Sequence, residues 1–169
     1  VESVFDAAAA GIAASELRAT VVELLREVPG LPPVIQAVHI LGIAVVMAAF
    51  VVPHLKILGV AAFGQSYREM IVRLSPWGWW TLGVMFLTGA VFVVARPFRY
   101  VHNPVVAIKF SCLAVAVALS LWTRARAART APDFRNVHKA LAALSIVAWV
   151  GVILAGRWIA YVDYLFWES

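Results

Sequence analysis

Apolar residues run along this chain in four long blocks, approximately 34–52, 77–95, 105–123 and 140–160. Each approaches the ~20 residues that an α-helix needs to cross a hydrocarbon core about 30 Å thick. Backbone amides and carbonyls find no water inside a bilayer, so a lone apolar run that crosses it must close its hydrogen bonds internally. This predicts a helix over every block. Pro53, Pro76, Pro97 and Pro104 fall at or near the block ends, where a missing N–H costs least. Trp77, Trp79, Trp80, Trp122, Trp158, Tyr161 and Tyr164 gather at the same ends, as in an aromatic belt.

The segment ahead of the blocks is patterned differently. From Ser15 to Val28, Leu17, Val21, Leu24, Leu25 and Val28 fall on one helical stripe, with Glu16, Glu23, Arg26 and Glu27 mostly opposite. Too polar and too short to span, it predicts an amphipathic helix that lies at the membrane interface or docks on the bundle or a partner. Pro29, Gly30, Pro32 and Pro33 end it and admit the next helix. Val1 to Ala14 has no basic region before an apolar run, so no signal peptide is read there. The expected architecture is an all-α integral membrane protein. Residues 1–32 form an N-terminal extension with the amphipathic helix, and residues 33–169 a four-helix transmembrane domain.

Composition strengthens this reading: 63% of residues are hydrophobic and 14% charged, with a mean hydropathy of +0.89, against about 25% charged in a soluble domain. The net charge of +5 does not point to nucleic acid, because the basic residues flank apolar spans. Lys56, Arg68 and Arg73 precede the second block, and Arg124, Arg126, Arg129, Arg135 and Lys139 precede the fourth. The other side carries Arg18, Arg26, Arg96 and Arg99. The excess on the first side predicts that it is cytoplasmic and that both termini lie outside. The lone Cys112 excludes an intrachain disulfide. No Ser-His-Asp set, P-loop, paired carboxylates or metal-ligand cluster marks hydrolase or phosphoryl-transfer chemistry.

Ionisable groups inside a membrane are costly and tend to mark function. At 1.5 Å per residue, His39 lies roughly 9 Å beyond Pro33, Lys109 roughly 8 Å beyond Pro104 and Arg157 roughly 9 Å before Asp163. Because the spans alternate in direction, all three share an outer-leaflet depth, with Gln36 and Tyr161 each about a turn away on their own helices. No Asp or Glu lies within a span. The cations must therefore snorkel, bind carbonyls or meet an anionic ligand. The expected site is a polar pocket of His39, Lys109, Arg157, Gln36 and Tyr161.

Histidines contributed by different helices can ligate a b-type haem, and His39 with His102 is the candidate metal-ligand pair, with Lys109 and Arg157 positioned to neutralise propionates. His54 and His138, at the other end, raise the alternative of a second, stacked site. A quinone head group or a lipid are the other candidate ligands. Gly42, Gly83, Gly89, Gly151 and Gly156 are assigned to close helix packing.

The runs from Leu31 to Gly59, NPVVAIKF from Asn103 and LSIVAWVGVILAGRWIAY from Leu144 resemble a widespread bacterial family of four-helix inner-membrane proteins of uncharacterised function. The matching features are His39 before Leu41 and Gly42, Lys109 early in the third span, and Gly156, Arg157, Ile159, Ala160 and Tyr161 closing the fourth. The resemblance covers the chain from about Leu24 and implies a bacterial inner-membrane location. A looser likeness to copper-resistance and cytochrome b561-like bundles concerns architecture only. Two functional expectations follow. One is membrane electron transfer through haem b or a quinone. The other is a structural or accessory subunit, held to other membrane subunits or to its own copies, with no cofactor. An anion transporter is disfavoured by the lack of broken helices or an inverted repeat.

Overall fold

The computed structural model of the protein describes residues 3–61, 64–127, 136–159 and 161. Arg129, Arg135, Ala160 and Tyr164, which entered the charge, motif and belt arguments, lie outside the described residues. Among the described residues seven helices follow one another: α1 Val4–Ala13, α2 Glu16–Glu27, α3 Leu31–Ile57, α4 Tyr67–Ala95, α5 Pro97–Val101, α6 Pro104–Ala127 and α7 Asn136–Ile159. Among them, α3, α4, α6 and α7 are long and apolar enough to cross a membrane. The protein is a multi-pass membrane helical bundle.

The spanning helices outrun the apolar blocks that predict them. α3 has 27 residues and α4 has 29, so Pro53 and Pro76 lie inside helices and not at their ends. Hydropathy marks only the part of a helix that meets hydrocarbon, whereas hydrogen bonding carries the helix on into the polar zone. Arg68 and Arg73 are thus exposed on the first turns of α4 instead of in a loop. Each proline removes one i to i−4 hydrogen bond. Pro53 is nevertheless among the most completely buried side chains, its ring used as packing.

The pairing is α3 with α4, α6 with α7, and α3 with α7, while α4 against α6 is the most thinly packed of the four sides of the bundle. Lipid tails are as apolar as the side chains they would replace, so the hydrophobic effect contributes little to holding spanning helices together and close packing must do it. Phe50 is the centre of that packing. It stacks on Trp149 of α7 with centroids 5.1 Å apart and planes 3° from parallel, and meets Trp79 of α4 edge-on at 4.9 Å. Each such pair contributes about 0.5–1.5 kcal/mol beyond the area it covers. Both indole N–H groups are satisfied without water: Trp149 donates to Ser120 Oγ (3.2 Å) and Trp79 to Ser75 Oγ (3.0 Å). Val46, Ala116 and Ala148 complete this core.

Glycines let the backbones approach. A Cβ on Gly78 would lie 2.8 Å from both Ala49 Cβ and Phe50 Cζ, and one on Gly42 would lie 2.8 Å from Met85 Cγ. Gly151 meets Cys112 Sγ at 3.1 Å in the same sense, whereas Gly83 has open space around it. Gly83 is therefore not a packing glycine, contrary to the sequence expectation.

Short helices cover the end of the bundle where α5 joins α4 to α6, called the upper end here. α1, unforeseen in the sequence, is started by a capping box in which Ser3 and Asp6 satisfy each other's backbone N–H groups. It packs on α5 and buries Ala9 completely. α2, capped by Ser15, packs on α4. Its predicted single stripe divides. Val21, Val22 and Leu25 are half-buried, while Leu17, Leu24 and Val28 stay 62%, 51% and 42% exposed. α2 is thus docked on the bundle and also presents an apolar edge suited to a membrane interface.

Replacing Gly78 by Ala forces a methyl group against Ala49 and Phe50 and should destabilise the bundle by about 1–3 kcal/mol. Gly83→Ala, which meets no atoms, should leave the unfolding midpoint unchanged or raise it. Thermal or detergent unfolding of the two variants beside the parent checks the contrast.

Candidate functional site

The residues that sequence depth gathers into one pocket occupy separate places, and only two of them share the interior. His39 is half-buried on α3, with Nδ1 2.8 Å from Thr88 Oγ1 of α4. The Thr88 hydroxyl lies 3.0 Å from Val84 O and 3.1 Å from Met85 O. A hydroxyl has one proton, and carbonyls can only accept, so Thr88 donates to its own helix and accepts from His39 Nδ1–H. With that assignment the ring proton is on Nδ1 and Nε2 keeps its lone pair. The histidine ring sits over Gly89, where a Cβ would be 3.6 Å from Cε1.

Lys109 is half-buried on α6, its terminal Cε and Nζ lying 3.7 Å from the place a Cβ would take at Gly156 of α7. The glycine makes room for the ammonium end of the side chain. Among the described residues, no hydrogen bond or carboxylate accompanies this ammonium.

Arg157 and Tyr161 are exposed and pair with each other. The guanidinium donates to the phenol oxygen at 2.5 Å, and its carbon lies 4.8 Å from the ring centroid. Tyr161 lies in a turn beyond the end of α7, and the pair faces outward. Gln36 is likewise exposed. Arg157, Tyr161 and Gln36 therefore do not line a common interior pocket with His39 and Lys109.

His102 lies outside the spans, at the junction of α5 and α6. Its Nδ1 is 3.0 Å from Phe98 O and its Nε2 is 2.8 Å from Asp6 Oδ1. Both ring nitrogens face protein oxygens, so neither is directed at an iron. The His39–His102 pair does not fit a bis-histidine haem. Nor does the second pair. The Phe50–Trp149 stack sets the register of antiparallel α3 and α7, so one turn further down each helix places His54 level with Ser145. His138 is seven residues before Ser145, roughly 10 Å lower along the axis. It is buried and stacks on Trp122 at 5.6 Å.

His54 carries more than its place at the end of an apolar block suggested. It is 1% exposed, its Nδ1–H donates to Phe50 O, and among the described residues its Nε2 has no partner. Ser145, 0% exposed, has an Oγ in the same condition. They belong to a lower-half polar interior that hydropathy could not reveal. In it Tyr67 of α4 donates to Thr123 O of α6 at 3.1 Å, and Ser120 donates to Ala116 O at 2.8 Å. The neutral, sealed lower cluster holds helices together, whereas His39 and Lys109 are partly open and one of them is charged. Among the described residues no three His, Cys, Asp or Glu side chains form a metal-ligand group.

With the class of protein defined as a four-span helical bundle with a His–Lys pair in its upper half, comparison adds no closer kinship. No protein-family model, curated protein or solved structure matches the chain.

The Asp6–His102 contact makes the docking of α1 acid-sensitive. The Ser3 hydroxyl first, then the Ser3 backbone N–H and His102, hold the Asp6 carboxyl below its ordinary value of 3.8. A depressed carboxylate stabilises the folded arrangement above its ordinary pKa and loses that contribution as pH falls through the depressed value. Hydrogen exchange in α1 should therefore accelerate, relative to the rest of the bundle, below about pH 4. Asp6→Asn should show the faster exchange at neutral pH and little further change in acid.

Proposed function

We propose that this protein is a quinone-binding membrane subunit of an electron-transfer system, with His39 and Lys109 as the head-group contacts. The observation that carries this reading is the pairing of a fixed acceptor with an uncompensated donor. With the Thr88 hydroxyl donating to its own helix, His39 Nε2 keeps its lone pair, and Lys109 brings a cation that has no carboxylate beside it among the described residues into the same half of the bundle. A quinone carbonyl accepts from an ammonium, and a quinol hydroxyl donates to an imidazole lone pair, so both redox forms of the head group find a partner. The pair is half-buried. The seam that closes least lies between α4 and α6, the helices carrying Thr88 and Lys109, which suits entry from lipid.

A quinone is favoured over haem b because the histidine expected as second axial ligand, His102, has both nitrogens engaged with Phe98 and Asp6. The same reading takes the protein to be one of the bacterial inner-membrane family that its His39, Lys109 and Gly156–Arg157 motifs resemble, with both termini outside. Within an electron-transfer complex it acts beside other subunits that hold the redox centres.

Titration of the purified protein with decylubiquinone, followed by quenching of tryptophan fluorescence, tests this. Saturable quenching is expected, and Lys109→Met and His39→Leu should each weaken it about tenfold, the cost of losing a hydrogen bond to a polar or charged group. Arg157→Gln should leave it within about twofold, as expected of an exposed charge outside the site. Quenching that is absent, or equal in all variants, sinks the quinone reading and leaves the anchoring role. A dithionite-reduced α band that disappears in His39→Ala would replace the quinone by haem.

A further inference from the structure

We propose that His54 of α3 and Ser145 of α7 hold a single water molecule between them at the lower edge of the membrane. Phe50 and Trp149 stack across the contact of these two helices, and residues four apart share a helix face. One turn below that stack, His54 and Ser145 therefore face each other across the same contact. They are 1% and 0% exposed. They are nevertheless not hydrogen-bonded to each other, and among the described residues neither His54 Nε2 nor Ser145 Oγ has a partner.

The needs of the two atoms are complementary. The Phe50 carbonyl can only accept, so the ring proton of neutral His54 is on Nδ1 and Nε2 keeps a lone pair. The Ser145 hydroxyl has a proton to give and, unlike those of Ser120 and Thr123, does not give it to a carbonyl of its own helix. A buried polar atom left in either condition is costly. One water molecule meets both: it accepts from the serine hydroxyl and donates to the imidazole, and its second proton can go to a helix carbonyl, which has a second lone pair. Ala142 and Ala148, three residues either side of Ser145 and buried with it, keep this wall of α7 small.

Depth makes water the ligand at hand. Trp79 meets Phe50, and Trp77 and Trp80 beside it on α4 are 69% and 79% exposed, as tryptophans are at a headgroup boundary. His54 is about 6 Å below Phe50 along α3, so the site lies at that boundary and fills from the interface instead of through hydrocarbon. The bridge also completes a pattern. His39 meets Thr88 between α3 and α4, Tyr67 donates to Thr123 between α4 and α6, and Trp149 donates to Ser120 between α6 and α7. A water shared by His54 and Ser145 gives the fourth side, α3 against α7, a link of the same kind.

The test is magnetic resonance of the full chain in lipid nanodiscs, with histidine labelled in carbon and nitrogen and the His54 signals assigned by their loss in His54→Gln. Magnetisation from water should reach the carbon-bound ring protons of His54, which do not exchange with solvent and are closed to the bulk. Ser145→Ala removes one of the water's partners. It should weaken that transfer and lower the thermal unfolding midpoint by about 2–4 °C, the loss of one hydrogen bond in a chain of this size. If the Ser145 hydroxyl had no partner at all, the same change would relieve a buried polar group and the midpoint would hold or rise. No transfer from water to the ring, a Ser145 hydroxyl bonded directly to Nε2, or a midpoint that holds or rises in Ser145→Ala overturns the proposal. The parent spectrum decides the matter should Ser145→Ala fail to fold.

Discussion

Phe50 is the side chain on which the arrangement of the helices turns. Its ring lies flat on Trp149 and edge-on to Trp79, so one residue of α3 fixes both the rotation and the height of α7 and α4. This works only because Gly78 presents no side chain at the place where the Phe50 ring passes α4. In water a burial of this size would be driven by solvent. In lipid the same contacts must be won by fit, and a flat aromatic surface against a glycine gives more fit than a set of flexible aliphatics.

Once that register is set, the polar groups of the bundle sort into two kinds. Below the aromatic centre, the fully buried polar side chains among the described residues include no lysine or arginine. Tyr67 donates to the Thr123 carbonyl and Trp149 to the Ser120 hydroxyl, tying α4 and α7 to α6, while the Ser120 and Thr123 hydroxyls donate to carbonyls of their own helix. Above it lie His39, hydrogen-bonded to Thr88, and Lys109 seated on Gly156. A charge is the more expensive group to hold in a membrane. The bundle keeps its charge in the half-open part, within reach of a ligand, and spends its enclosed volume on neutral hydrogen bonds.

The upper end is built by a different logic. α1 and α2 are short, capped by side chains of their own, and attached to α5 and α4. The Asp6 to His102 contact lies on this attached layer. Electrostatics can contribute here because the layer sits near water, where ionised groups cost less to keep, and because its contacts are too few in apolar side chains to hold by packing alone.

By itself the sequence determined that four helices cross a membrane and that a fifth, amphipathic one precedes them, because runs of apolar residues about 20 long have one stable form in lipid. It also singled out His39 and Lys109, since an ionisable residue in an apolar block is visible at a glance. Depth along a helix is linear in residue number, so their common level was legible too. Direction around the helix was not. Arg157 shares that level, yet it turns outward to Tyr161, and Gln36 is exposed, because rotation is set by which face a neighbour covers. His54 shows the converse. Read as a residue at the end of an apolar block, it lies on a helix that continues past that block, and α7 encloses it at the level of Ser145. His102 needed Asp6, almost a hundred residues away, before both of its nitrogens were accounted for. Composition and periodicity report the solvent that each helix meets; only the packing of one helix against another decides which polar atoms are left with a free valence.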